Sequence, residues 1–157
     1  MVQRLIYIVV VVLLLGAASV ALTQELKPEE GFKGLRWGAS VEEMKNVFTN
    51  ASAKAIDTGR PRETTYFVGS NIGAAHVDLN LVFLDGKFAR AFMVFDRGEF
   101  DQVTEAFKQR YGQQVMETAS GITWTRGDTR FAVLRAGAAV VSTRPFDTYD
   151  DDLQKRR

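Results

Sequence analysis

The sequence predicts an α+β fold: two helices packed on an antiparallel sheet, with a helix-then-four-strands pattern occurring twice. Three observations carry this expectation. Residues 41–48 and 99–111 place apolar side chains at helical spacing. Asp85-Gly86 and Gly127-Asp128 are two-residue turn signals set between stretches of alternating polarity. Four such stretches follow each helix in the same order, at an interval of about sixty residues.

The N terminus has to be set aside before the fold is read. Met1-Val2-Gln3-Arg4 is a short basic lead, and residues 5–15 form an unbroken apolar run. Gly16-Ala17-Ala18-Ser19-Val20-Ala21 then ends in the small side chains that a signal peptidase accepts. Residues 1–21 therefore read as a signal peptide. The apolar character continues to Leu22, which approaches the length of a spanning helix and leaves an N-terminal membrane anchor as the other reading. Cleavage predicts a periplasmic or extracellular protein. Retention predicts an inner-membrane anchor with the folded part outside the cytoplasm. The chain has no cysteine, so it lacks the lipid-bearing residue of a bacterial lipoprotein and folds without a disulfide.

The 157 residues are 46% hydrophobic and 25% charged, the balance of a folded protein. There are 20 Lys+Arg and 19 Asp+Glu; cutting after Ala21 removes Arg4 alone and leaves 19 of each. Such a neutral chain argues against nucleic acid, which is held mainly by net positive charge. What remains suffices for one core and is too small for two. Residues 22–31 read as a linker, 32–146 as a single domain and 147–157 as a charged tail.

The elements follow in order. Leu35 and Trp37 alternate as in a short strand, and Ser40 with Glu43 forms a capping box for the first helix. Val41, Met44, Val47 and Phe48 share that helix's apolar face. Strands are expected at 53–58 and 63–68, split by Gly59-Arg60-Pro61, with 69–75 as extra length. The turn at Asp85-Gly86 pairs Phe83 with Phe88, Leu81 with Arg90, Leu79 with Phe92 and Val77 with Val94. One face of this hairpin is then apolar except for Arg90, and the other is mixed, carrying His76, Asp78 and Asn80. The second helix buries Phe100, Val103, Phe107 and Tyr111 and stops at Gly112. Strands at 113–118 and 121–126 follow, and the turn at Gly127-Asp128 sets Trp124 against Phe131 and Ile122 against Val133. A last hairpin, 129–135 with 138–143, turns at Ala136-Gly137 and is ended by Pro145.

The run Phe32-x-Gly34-Leu35-x-Trp37-Gly38-x-Ser40-x-Glu42-Glu43, with the later Tyr111-Gly112, resembles a group of small exported bacterial proteins of unknown function. In layout this likeness spans most of the chain after the export segment; in letters it covers the opening run and the Tyr-Gly pair. The order of elements is also similar in outline to β-lactamase inhibitor protein and to the small lipoprotein of the outer-membrane barrel-assembly machine. Both of these work by binding proteins. The likeness implies partner binding here, and no binding residue carries over.

Four residues are candidate sites: His76, Asp78, Arg90 and Trp37. His76 is the sole histidine, and Gly69-Ser70-Asn71-Ile72-Gly73 has its serine in the wrong place for a nucleophile elbow. One histidine and no cysteine cannot build the usual zinc shell. His76 and Asp78 share a strand face, which fits a weak acid–base pair or two solvated polar residues. Arg90 must find a carboxylate, snorkel out or line a pocket for an anion. Trp37 is a core residue or a stacking platform for a ligand. Arg126, Arg130, Arg135 and Arg144 gather near hairpin ends, as solvated tips or as a surface for an anionic glycan or lipid headgroup. Asp147 to Asp152 lacks the glycine of a calcium loop, and no cofactor motif is present. The expected function is a non-enzymatic module binding an envelope protein or glycan through a sheet face or hairpin edge. The alternatives are a small-ligand binder or hydrolase with a pocket near Arg90, Asp78 and His76, and a membrane-tethered structural protein.

Overall fold

The computed structural model describes residues 27, 29–49, 52–56, 58–113 and 116–155, with the backbone alone for 52–56. The export segment 1–21, residues 22–26 and 28 of the linker and residues 156–157 of the expected tail lie outside the described residues. A short ribbon, β1 (Gly31–Phe32) and β2 (Leu35–Arg36), leads into α1 (Val41–Val47). Next come β3 (Ser52–Ile56), β4 (Glu63–Ile72), β5 (Ala75–Leu84) and β6 (Lys87–Val94). After α2 (Phe100–Tyr111) the chain forms β7 (Met116–Thr118), β8 (Gly121–Arg126), β9 (Thr129–Leu134) and β10 (Ala138–Thr143), and α3 (Arg144–Lys155) closes it. Strands β3 to β10 make one antiparallel sheet in the order β3-β4-β5-β6-β10-β9-β8-β7.

The fold is therefore predominantly β, and the expected pair of repeated helix-plus-sheet units is not what the chain builds. Among the described residues the sheet and ribbon outweigh three helices, which lie on both sheet faces rather than as two on one. The two halves are unequal: α1 has seven residues against twelve in α2, and β4 has ten against six in β8. Strand β4 does not stop near Val68, because its turn lies at Gly73-Ala74 and residues 69–72 continue the ladder against β5. The segment expected as a charged tail folds as α3. Pro145 lies in its first turn, where a missing N–H costs nothing, and Phe146, Tyr149 and Leu153 form a stripe over Val82, Leu84 and Ala89.

The main core lies between the other sheet face and α1, α2 and the ribbon. On β5, Ala75, Val77, Leu79, Leu81 and Phe83 all point into it and are fully buried. Met44 anchors α1, whose capping box forms as expected: the Glu43 carboxylate accepts from the Ser40 N–H at 2.7 Å. Hydrogen bonds from Ser40 hold the Glu43 carboxyl below its usual range. Tyr111 stacks on Phe131 at 4.0 Å, and the Trp124 indole N–H donates to the Gly112 carbonyl at 2.9 Å. The β8–β9 register is the one expected, Trp124 opposite Phe131 and Ile122 opposite Val133.

The β5–β6 hairpin departs from expectation after its first pair. Asp85 and Gly86 take φ of 51° and 74°, as a two-residue hairpin turn of this kind requires, and Phe83 faces Phe88. Ala89 is then an extra residue, a β-bulge, so Val82 rather than Leu81 faces Arg90. A one-residue shift exchanges the faces. Ala91 and Met93 enter the core, fully buried, while Arg90, Phe92 and Val94 leave it. The bulge is held from outside the hairpin. Gly38 N–H donates to the Phe88 carbonyl at 2.8 Å and Phe88 N–H to the Ala39 carbonyl at 2.9 Å. The Thr143 hydroxyl donates to the Ala89 carbonyl at 3.1 Å.

Helix α3 is clamped by Arg60, which pairs with both Glu63 and Asp150, and by the Tyr149 hydroxyl, which donates to the Pro61 carbonyl. Its seat is small, so one aromatic ring carries much of it. Phe146→Ala should cost about 3 kcal/mol in urea unfolding. A loss under about 1 kcal/mol would show that the polar clamp, not the ring, holds the helix.

Candidate functional site

Among the described residues, the second sheet face is covered only where α3 lies across it. Following cross-strand partners beyond that helix gives one continuous row: Phe67, Asn80, Phe92, Val140, Ala132, Thr123 and Met116, one residue from each of seven strands. The next row passes through Asp78, Val94, Ala138 and Leu134. Both rows are mainly apolar. Phe67, Val94 and Met116 are 37%, 44% and 56% exposed, unusual values for large apolar residues in a sheet.

Charge frames this face unevenly. At one end His76, Asp78, Asp96 and Glu99 surround Val94 and Phe95 in a notch of about 290 Å³. His76 is exposed, and its Nδ1 lies 3.2 Å from the Asn71 Oδ1 on the neighbouring strand. Among the described residues no cluster of these side chains has the geometry of a metal site. The Asp96 carboxylate accepts from the Gly98 N–H at 2.7 Å and caps the 3-10 turn Arg97–Glu99.

At the other end, beside α3, Arg90, Arg130, Asp147 and Asp150 line a concavity of about 240 Å³ with Val140 and Leu134. The Arg90 guanidinium lies 5.0 Å from the Phe146 ring and 5.8 Å from Phe92. Its Nε is buried and makes no hydrogen bond. Burial lowers the pKa of Arg90 below its ordinary value, opposed by the carboxylates of Asp150, Glu63 and Asp147.

The four sequence candidates thus fall in three places. His76 and Asp78 are together, as their shared strand face implied. Arg90 shares their sheet face but stands opposite Val82, four residues from Asp78 and so about 13 Å away along the strand. It lines the other concavity, and no common pocket forms for the three. Arg90 was also expected on the apolar core face; the bulge removes it from there. Trp37 packs on the core, its indole stacked on Phe88 at 4.8 Å, with its Nε1 buried and without a hydrogen-bond partner. The exposed row went unread in the sequence because the assumed register put Phe92 and Val94 inside. The adjacent pairing of Gly38-Ala39 with Phe88, which fixes the bulge, joins residues some fifty positions apart and leaves no local signal.

Comparison with protein-family models, with curated proteins and with solved structures finds no match to this chain.

Because Arg60 already pairs with Glu63 and Asp150, removing Arg90 strands neither carboxylate. Arg90→Met should leave stability unchanged or raise it by up to about 2 kcal/mol in urea unfolding. A loss of more than about 2 kcal/mol would instead make Arg90 an obligatory partner of α3.

Proposed function

We propose that the protein is an exported binding module that holds a partner protein on the uncovered sheet face. One observation carries this reading: the row from Phe67 through Phe92 and Val140 to Met116, mainly apolar and left uncovered by the described residues beyond α3. Large apolar side chains gathered on one rigid face are stabilised by burial against a partner, at about 25 cal/mol per Å² of apolar surface covered. Charge specifies the partner further. The notch of Asp78, Asp96 and Glu99 next to exposed Val94 fits a lysine or arginine flanking the apolar segment. The occupant is then a protein segment with a ridge of aliphatic or aromatic side chains and a cation at one end. Export rests on the sequence of residues 1–21; among the described residues no helix is long and apolar enough to cross a membrane.

The absence of native cysteine permits a clean contact test in cells. Single cysteines at Phe67 and Val94, carrying a photo-crosslinker, should each join the protein to the same species, while one at exposed Asp151 on α3 should not. Val94→Asp should remove the crosslink at Phe67 with the circular dichroism spectrum unchanged. Equal crosslinking at Asp151 would overturn the reading, and a product of twice the protein's own mass would make the face a self-interface instead.

Export is tested separately by intact mass after fractionation of a Gram-negative host. The expected species is extracytoplasmic and begins at Leu22. A full-length species in the cytoplasm would refute export.

A further inference from the structure

Among the described residues α3 alone covers the second sheet face, and it is attached differently from the rest of the fold. Its seat is a separate cluster: Val82, Ala89, Phe146 and Tyr149 are buried there, with Leu84 and Leu153 half-buried against them. The main core joins twenty-five other buried side chains, none of them from α3. Helix α3 also supplies no strand to the sheet, so its release breaks no ladder hydrogen bond. Loss of the seat therefore leaves the eight-stranded sheet and the main core in place.

The surface beneath the helix is not uniformly apolar. The cross-strand row through its seat reads Thr65, Val82, Arg90 and Ser142. Thr65 and Ser142 are buried, and the Arg90 guanidinium lies 5.0 Å from the Phe146 ring. The Thr65 hydroxyl and the Arg90 Nε are both buried without a hydrogen-bond partner. Arg90 Nε, under Phe146, regains water when the helix lifts, which favours the open arrangement.

The flanks and fastenings of α3 agree. A cleft of about 440 Å³ reaches Thr148 and Asp152 on one flank, between Pro61 and Leu84. The concavity of about 240 Å³ reaches Asp147 and Asp150 on the other, so neither flank is sealed to the sheet. Arg60 holds Asp150 and the Tyr149 hydroxyl holds the Pro61 carbonyl, both at the rim. Arg144 pairs with Asp128, but those side chains are 73% and 71% exposed, and exposed pairs contribute little.

We infer that α3 is a displaceable cover that competes with the partner segment for the second sheet face. With the helix lifted, Val82, Leu84 and Ala89 add their apolar surface to that of Phe92, Val94 and Val140 on the same side of the sheet. Helix α3 itself shows what this face accepts: an amphipathic segment with large apolar side chains at i, i+3 and i+7, here Phe146, Tyr149 and Leu153. A partner that fits the face better with the helix away shifts the equilibrium by its differential affinity for the open form. This competition presupposes the partner face proposed for the protein, and it adds that the chain's own helix gates that face.

Hydrogen exchange of the full chain reads the opening directly. Amides of α3 beyond its first turn should show protection at least about tenfold below that of β5 amides. Phe146→Ala should lower α3 protection by about another tenfold, and should raise the photo-crosslink yield from position 67 about threefold or more. Leu153→Ser is the milder second variant, and circular dichroism verifies that each variant keeps its sheet. Equal protection of α3 and β5 would mean that the helix opens only with the whole fold, which overturns the inference. So does a crosslink yield that stays level in a variant whose α3 exchange has risen. No crosslink from position 67 in the parent or in any variant refutes the partner face itself and takes the competition with it.

Discussion

The extra residue at Ala89 decides which side of β6 is inside. Before it, Phe88 faces the core opposite Phe83; after it, Ala91 and Met93 do, and Arg90, Phe92 and Val94 face outward. A strand bulged there leaves backbone groups without ladder partners, and those groups must be satisfied elsewhere. The segment before α1 takes both groups of Phe88 through Gly38 and Ala39, while Thr143 takes the Ala89 carbonyl. Trp37 stacks on the Phe88 ring at the same spot. The opening Trp-Gly-x-Ser phrase thus has a structural purpose: Trp37 and Gly38 grip the bulge, and Ser40 two residues later starts α1. The main core, the seat of α3 and the open face all follow from that placement.

The two sheet faces are accordingly used in different ways. One is sealed by α2 and α1 and holds nearly all of the large fully buried side chains. The other supports a single amphipathic helix whose apolar stripe covers one end, fastened by the Arg60 pairs and by Tyr149. Burial first, and the Glu63 carboxylate second, hold the Tyr149 hydroxyl above its ordinary pKa, so it stays a donor to Pro61 throughout neutral conditions. The remainder of that face has hydrophobic rows and no cover from the described chain.

Local chemistry made much of this legible. The Asp85-Gly86 and Gly127-Asp128 turns, the Ser40–Glu43 box and the stripe of α2 are each encoded within a dozen residues, and each stands as read. Long-range pairing was not legible. The bulge depends on a loop some fifty positions earlier, and missing it inverted Arg90, Phe92 and Val94 and hid the exposed row. Helix α3 escaped for another reason: its acidic run and Pro145 looked like a tail, though the spacing of Phe146, Tyr149 and Leu153 is helical. The placement of His76 and Asp78 on one face was legible from strand alternation alone.

The shortness of the outer strands bears on how readily one sheet can pair edge to edge with another. The sheet's longest strands, β4 and β5, have ten residues, but the outermost ones, β3 and β7, have five and three. An edge strand is a template of unpaired N–H and C=O groups, and its hazard grows with its length. Strand β7 gives an incoming chain three residues to copy, with the Glu117–Arg135 ion pair beside them. Lateral growth into fibres therefore has little to start from at that rim, and a broad apolar face becomes tolerable in a protein whose sheet never closes into a barrel.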